Sequence, residues 1–523
     1  MAEEKRPQVK VIRCPHCGAN LMWDPNTNGM HCQFCGSDFN PEEVAESVSS
    51  HGADGNLPEA DENSQAANEN WHASGSFQTM EYTCTQCGAR LYTTEDTSAT
   101  FCSFCGSSAV LEGRLVEEDL PDLVIPFKVT KEQAVENYRQ YVKKRSLFAP
   151  SYLTEDAEVE RFRGIYMPYW VYRLQSGVQD ISVPGKTSHR VGDYVYTDHY
   201  QTNLRYSSDY DGLHFDASSK FADNLSQVIS PFDIHEGKTF NPAYLSGYYA
   251  DLGDVRAKVY ADVACDTAEK DTVNRLMHST ALRDAHTTPM DVDRFVHMTG
   301  HARSALFPVW FLCIRNDQNR LTYAAVNGQT GEVAADLPAS PGKYVTFGLI
   351  LAAAIFAIFE LIFTMTPTTV TIAALVISLL AFLTSRSLGK SLKMQEDNRD
   401  DAGYMSVHPE LRKKKSAKAA KTQNDAKAAK NTADGKTANT TEAAKTKNDT
   451  STGSWTLLIG VAAVVLVLLF QPVSDLYYYG ASLFAAALTT LNFIGLIKKQ
   501  SRLATRKIPQ FEKRGGDKDA VVY

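Results

Sequence analysis

Apolar and polar positions follow different rules in different parts of this 523-residue chain. In the last third, apolar residues run together. Tyr344–Met365 is broken only by Glu360, Thr368–Leu383 follows Thr366-Pro367, and Trp455–Val473 and Leu476–Ile497 lie either side of Asp475. Each run is close to the ~20 residues needed to cross about 30 Å of hydrocarbon. The pattern therefore predicts four transmembrane helices in two hairpins, 344–385 and 455–497, with very short outer turns. In residues 115–343 the spacing switches between helical and strand-like. Thr130 and Gln133 form a capping box, followed by an apolar helical face of Ala134, Val135, Tyr138, Tyr141 and Val142. From Ile165 to Tyr206 aromatic and polar residues alternate between Gly and Pro punctuation, which predicts an antiparallel meander. Asn241-Pro242 opens a helical stretch, and Asp266 with Glu269 predicts a cap for a helix reaching about Ala285. Leu306–Leu312 and Leu321–Val326 predict a hairpin, with Asn327–Gly331 turning into a last short strand. The phrases Ile165-Tyr166-Met167-Pro168-Tyr169-Trp170 and Ala305-Leu306-Phe307-Pro308-Val309-Trp310 echo one another, as an internal duplication would.

The polar first hundred residues carry the chemistry. Cys14-Pro15-His16-Cys17-Gly18 precedes Cys32-Gln33-Phe34-Cys35-Gly36, and Cys84-Thr85-Gln86-Cys87-Gly88 precedes Cys102-Ser103-Phe104-Cys105-Gly106, at a constant offset of 70 residues. Two C-x-x-C knuckles supply four thiolates, the donor set of a closed tetrahedral zinc site. The reading is two zinc ribbons, 10–40 and 81–113, each holding one structural ion through Cys14, Cys17, Cys32 and Cys35 or through Cys84, Cys87, Cys102 and Cys105. A rubredoxin-like iron site is the chemical alternative. Such small units fold on their metal rather than on a core. The glycine after each second cysteine permits a tight turn that aims amides at the sulfurs. With four cysteines at hand His16 reads as an exposed side chain, and Phe34 and Phe104 as core packing. Cys265 and Cys313 stand alone and read as small buried residues.

Charge adds a direction. Residues 1–343 hold 30 Lys and Arg against 47 Asp and Glu, while residues 344–523 hold 23 against 14. The segment 41–80 is acidic, lacks Lys and Arg, and reads as a disordered linker. The segment 386–454 is a basic low-complexity loop, and 498–523 a basic tail. Basic residues mark the cytoplasmic side, so an even number of spans places both termini in the cytoplasm of a multi-pass cell-membrane protein. Unpaired thiols require the same reducing side, and MAEEKRPQVKVIRCPHC contains no secretory apolar core. The overall class is multidomain: two small β ribbons, an α+β cytoplasmic domain with an antiparallel sheet over 115–343, and four transmembrane helices.

Motifs for catalysis are missing. Pro184-Gly185-Lys186-Thr187-Ser188 contains G-K-T, but Asp180 replaces the first glycine of a phosphate-binding loop. His278, His286, His297 and His301 lack metalloprotease spacing. No catalytic or small-molecule cofactor site is expected. Glu360 is costly inside a bilayer, which gives a small transporter or channel one supporting residue. Zinc ribbons also serve nucleic acids, but that binding needs Lys and Arg at the phosphates, and these ribbons flank an acidic linker. The expected partners are the bilayer and a cytoplasmic protein, in an adaptor or scaffold role. A nucleic-acid-associated role is the second reading, and crossing solutes the third.

The motifs C-x-x-C-G-A-x-L…C-x-F-C-G-S, Leu123-Val124-Ile125-Pro126-Phe127-Lys128, Gly164–Trp170, Tyr244–Asp251 and Leu306–Gly331 together resemble a group of bacterial membrane proteins. That group carries zinc ribbons of the transcription-factor-IIB or primosomal-helicase style. The resemblance implies a zinc-binding part without a helicase motor. It also implies association with membrane-stress or membrane-organisation proteins of the flotillin-like or phage-shock type.

Overall fold

The computed structural model describes residues 12–44, 76–93, 101–107, 112–145, 147–283, 286–362, 366–397, 402–407, 451–509 and 511. Three strands, β1 (Leu21–Asp24), β2 (Gly29–Cys32) and β3 (Asp38–Phe39), form a small antiparallel sheet in the first ribbon. An 11-stranded sheet holds most of the rest. It contains β4 (Ser76–Thr83), β5 (Arg90–Thr93), β6 (Glu112–Asp119), β7 (Leu123–Val124) and β8 (Arg163–Gln175). A two-stranded hairpin, β9 (Gln179–Val191) and β10 (Tyr194–Tyr206), stands apart. The large sheet continues with β11 (Asp209–Asp216), β12 (Lys238–Thr239), β13 (Tyr249–Ala250), β14 (Thr299–Arg315), β15 (Leu321–Asn327) and β16 (Val333–Ala335).

The centre of this sheet is the antiparallel pair β8–β14, in register from Thr299 opposite Gln175 to Phe311 opposite Arg163. Both strands are buried on both faces for most of their length, which is why they read as continuous apolar runs instead of alternating ones. The two echoing phrases of the sequence are these strands facing each other: Pro168 lies opposite Leu306, and Pro308 opposite Tyr166. A proline cannot donate to a ladder. On the outer side of β8, the partner changes at Pro168 from β13, paired at Ile165–Tyr166, to β11, paired from Tyr169 onward. On the outer side of β14, it changes at Pro308 from β7, paired at Ala305–Leu306, to β15, paired from Val309 onward. The proline carbonyls face these junctions, accepting from Ala217 N–H at 2.8 Å and Gly328 N–H at 2.7 Å. Each proline thus divides one flank between two strands.

The expected meander over 165–206 is replaced by a non-sequential arrangement, because β8 pairs with β14 and β11 while β9 and β10 pair only with each other. Helix α1 (Lys131–Arg145) starts at the expected capping box, with Thr130 N–H on Gln133 Oε1 at 3.0 Å and Gln133 N–H on Thr130 Oγ1 at 3.3 Å. Helix α2 (Lys258–Met277) begins well before the expected Asp266 cap. Tyr260, Ala264 and Ala268 already supply its buried face, and Asp266 pairs within the helix to Lys270.

Four apolar helices follow: α3 (Pro341–Ile362), α4 (Pro367–Asp397), α5 (Ser451–Phe470) and α6 (Asp475–Leu503). The expectation of four spans is reduced here. Among the described residues two helical stretches, Pro367–Glu396 and Asp475–Leu503, are long and apolar enough to cross a membrane. The stretches Pro341–Ile355 and Leu457–Phe470 are shorter, below the ~20 residues a span requires. The Glu360 side chain lies outside the described residues. Helix α4 also runs past the expected boundary at 385, because Ala381, Ser385 and Leu392 keep one face buried. There Ser385 Oγ donates to Asn492 Oδ1 at 2.7 Å, and Lys499 meets Glu396 at 3.0 Å. Ala402–Val407 then forms a short helix against α2 with Tyr404 buried. Part of the expected loop 386–454 is therefore ordered on the domain, while 398–401 and 408–450 lie outside the described residues, as does most of the linker 41–80.

One buried charge pair joins the ends of two strands. Lys220, after β11, reaches Asp251, after β13, at 2.6 Å with both side chains shielded from solvent. Burial opposes the lysine charge, yet Asp251 and Asp254 hold its pKa above the usual range. Replacing Lys220 with Met leaves Asp251 buried without its cation, and the expected loss is about 3–5 kcal/mol. Thermal unfolding of the purified chain should record it, and Lys220→Met with Asp251→Leu should recover most of the loss.

Candidate metal centres

The eight knuckle cysteines gather into two groups of four, each with its sulfurs within 4.8 Å of one another. In the first, Cys14–Cys35 and Cys17–Cys32 sulfurs lie 3.5 Å apart. In the second, Cys84–Cys105 and Cys87–Cys102 lie 3.7 and 3.6 Å apart. A tetrahedron with metal–sulfur bonds of about 2.3 Å has edges of about 3.8 Å, so both groups fit a metal ion and are consistent with zinc. The local backbone is the same in all four knuckles. Gly18, Gly36, Gly88 and Gly106 have φ of 75°, 71°, 75° and 66°, a region costly for any residue with a Cβ. Their N–H groups return to the carbonyls of Cys14, Cys32, Cys84 and Cys102 at 2.8–2.9 Å. His16 remains outside the sulfur set, exposed and 3.0 Å from Ser37 Oγ.

The surroundings of the two centres differ sharply. The first ribbon docks on the domain through Trp23, whose indole N–H donates to the Phe127 carbonyl at 2.9 Å and whose ring lies 5.1 Å from that of Tyr244. This buries Cys14 and Cys32 but leaves Cys17 and Cys35 exposed. Phe34, expected in a core, is 84% exposed. The second ribbon, expected as a separate unit, is built into the large sheet. Its β4 pairs β5 and β6, and Tyr92 of β5 pairs Ala250 of β13. All four cysteines are buried, and Phe104 is fully buried against Phe311 at 5.7 Å.

Side chains that carried no motif complete this second centre. Tyr323 O–H donates to the Phe104 carbonyl at 2.6 Å, and the Arg315 guanidinium to the Cys105 carbonyl at 2.8 Å. Cys313 is buried beside Gly106, outside the four-sulfur group. The segment after α6, expected as a basic cytoplasmic tail, returns to the domain. Arg506 and Leu321 exchange backbone hydrogen bonds at 2.7 and 2.8 Å. The Arg506 side chain is buried 3.2 Å from Asp336 and lies over the Tyr323 ring. Phe511 N–H then donates to the Cys87 carbonyl at 2.8 Å, with its ring 6.0 Å from Phe104. A basic residue after a span is ordinarily a solvated charge, so the sequence held no sign that Arg506 would be buried.

The remaining candidates fall elsewhere. Gly185-Lys186-Thr187 lies within β9 opposite Tyr200, His199 and Asp198, an extended strand with no phosphate loop. His278, His286, His297 and His301 join no metal group among the described residues.

The chain is similar to the uncharacterised Bacillus subtilis (strain 168) protein YdjG, 29% identical over 366 residues, covering 67% of this chain and 96% of YdjG. No protein-family model matches the chain, and no solved structure does. Of the expected resemblance, the structure supports the two four-cysteine groups, which fit tandem zinc-ribbon-like metal sites.

The different settings predict different consequences of losing each centre. Cys17→Ser should remove one bound metal per chain and leave hydrogen exchange in β14 and β15 unchanged, whereas Cys87→Ser should also expose those strands. A chelator should strip the first centre roughly tenfold faster, since the second opens only with its sheet. Elemental analysis and exchange mass spectrometry read both outcomes.

Proposed function

We propose that this protein is a membrane-anchored adaptor, loaded with two structural zinc ions, that presents its first ribbon to a cytoplasmic protein partner. The observation that carries the reading is the asymmetry between two equivalent centres. One is sealed inside the sheet, while the other stands on that sheet with Cys17, Cys35 and Phe34 open to solvent. Four thiolates occupy every position of a tetrahedral ion, so zinc here holds the fold and offers no open site. The ribbon sits on a frame tied to the apolar helices at several points. Phe148 stacks on Tyr344 at 3.8 Å where α3 begins, Tyr404 packs after α4, and Arg506 is clamped after α6. Such ties would hold a docked partner close to the bilayer.

In this reading all four apolar runs cross the membrane as two hairpins, with both termini and the basic segments on the cytoplasmic face. The acidic front half disfavours a nucleic-acid partner, and the resemblance points towards membrane-organisation proteins of the flotillin-like or phage-shock type. The test uses the full chain in native membranes. It should resist extraction by alkaline carbonate, carry two zinc per chain, expose tags at both termini to the cytoplasm, and crosslink a cytoplasmic protein reproducibly. Release by carbonate, or a tag outside, overturns the membrane arrangement. Retention of duplex DNA at physiological salt without a protein crosslink overturns the adaptor role.

A further inference from the structure

The duplicated ribbon contains its own template for a docked ligand. In the second copy three knuckle carbonyls are engaged. Cys87 accepts from a backbone N–H of the C-terminal segment, Phe104 from the Tyr323 hydroxyl, and Cys105 from the Arg315 guanidinium. The Phe104 ring packs between Phe311 and Phe511. The first copy has the same knuckle backbone. Its glycine turns and their return hydrogen bonds match those of the second within 5° and 0.1 Å, so Cys17, Phe34 and Cys35 present their carbonyls in the same pattern. Each of these three residues is exposed.

We infer that the exposed knuckle face of the first ribbon is a docking site for an extended segment of a partner protein that carries a basic residue and an aromatic residue, as the segment Arg506–Phe511 does. The segment supplies a backbone N–H to the Cys17 carbonyl, an aromatic ring to Phe34 and a cation near Cys35. Charge complementarity favours that chemistry. Four thiolates around a divalent ion leave a net charge of about −2, and the eight acidic side chains of residues 40–80, with no basic one among them, outweigh the four basic and two acidic side chains of residues 1–13 on the other flank of this ribbon. In the second copy Arg315 answers the equivalent charge from within the chain. Burial of an exposed phenylalanine against a second ring adds a modest gain beyond its area, which suits a reversible contact. Arg13, bridged to Asn20 ahead of the first knuckle, is exposed, and among the described residues no side chain donates to the Cys17, Phe34 or Cys35 carbonyls as Arg315 and Tyr323 do in the second copy.

The inference rests on the adaptor reading and can fail separately from it. The probe is a fluorescent peptide of sequence Arg-Lys-Ile-Pro-Gln-Phe, titrated onto the zinc-loaded full chain in nanodiscs. Saturable binding is expected. Phe34→Ala should weaken it about tenfold with two zinc retained. A peptide with its phenylalanine changed to alanine, or its two basic residues to glutamate, should bind as weakly. A benzoylphenylalanine in place of Phe34 should crosslink the peptide. Unchanged affinity in Phe34→Ala, equal binding of the acidic peptide, or no saturable binding overturns the site. Crosslinks from position 34 to the C-terminal segment of a second copy overturn the assignment to a partner protein. A partner captured through another face while the peptide fails removes this site alone, and a peptide that binds while no partner is captured removes only the adaptor role.

Discussion

The missing amide hydrogens of Pro168 and Pro308 shape the rest of the structure. In a two-stranded core buried on both faces, every outward N–H and C=O must find a partner. Each proline withdraws one donor in the middle of an outer edge. The flank of β8 is thereby split between β13 and β11, and that of β14 between β7 and β15. β13 leads on to β5 and so to the second metal centre. On the other strand, β15 carries Leu321 and Tyr323, which receive the C-terminal segment. The route from the central pair to the second four-cysteine group and to the apolar helices therefore starts at these two positions.

The second centre is consequently a joint. Its sulfurs lie where the ribbon strands, the β14–β15 hairpin and the segment after α6 converge, and its carbonyls accept hydrogen bonds from two of these three. Metal binding contributes to folding wherever the unfolded chain lacks the site. A metal ion held here would transmit that contribution to the large sheet and to the segment after the last helix, which share the centre's hydrogen bonds. The first centre is held by one tryptophan and its neighbours at the edge of the same core, and its fate is local.

Duplication explains how one motif serves both purposes. The knuckles are determined by local chemistry alone, namely cysteine spacing and a glycine with positive φ. Whether a knuckle is buried depends on what the rest of the chain places over it. At Phe104 the chain supplies Phe311, Tyr323 and Phe511. At Phe34 the described residues supply no such cover, and the same residue type in the same motif remains in solvent.

Read without coordinates, the chain disclosed whatever depends on short-range spacing. The eight cysteines and their grouping, the glycine turns, the capping box of α1, the apolar helices and the mixed domain between them were all legible, because hydrogen-bond rings and ligand spacing are set within a few residues. The echo between Ile165–Trp170 and Ala305–Trp310 was visible as well, but not that the two phrases pair. Strand partners chosen across more than a hundred residues leave no local mark. Only the tertiary structure decided that the second ribbon joins the sheet, that Arg506 is buried beside Asp336, and that Phe34 is exposed where Phe104 is not. Burial and pairing are properties of what packs against a residue, and in this protein those partners are supplied from the opposite end of the chain.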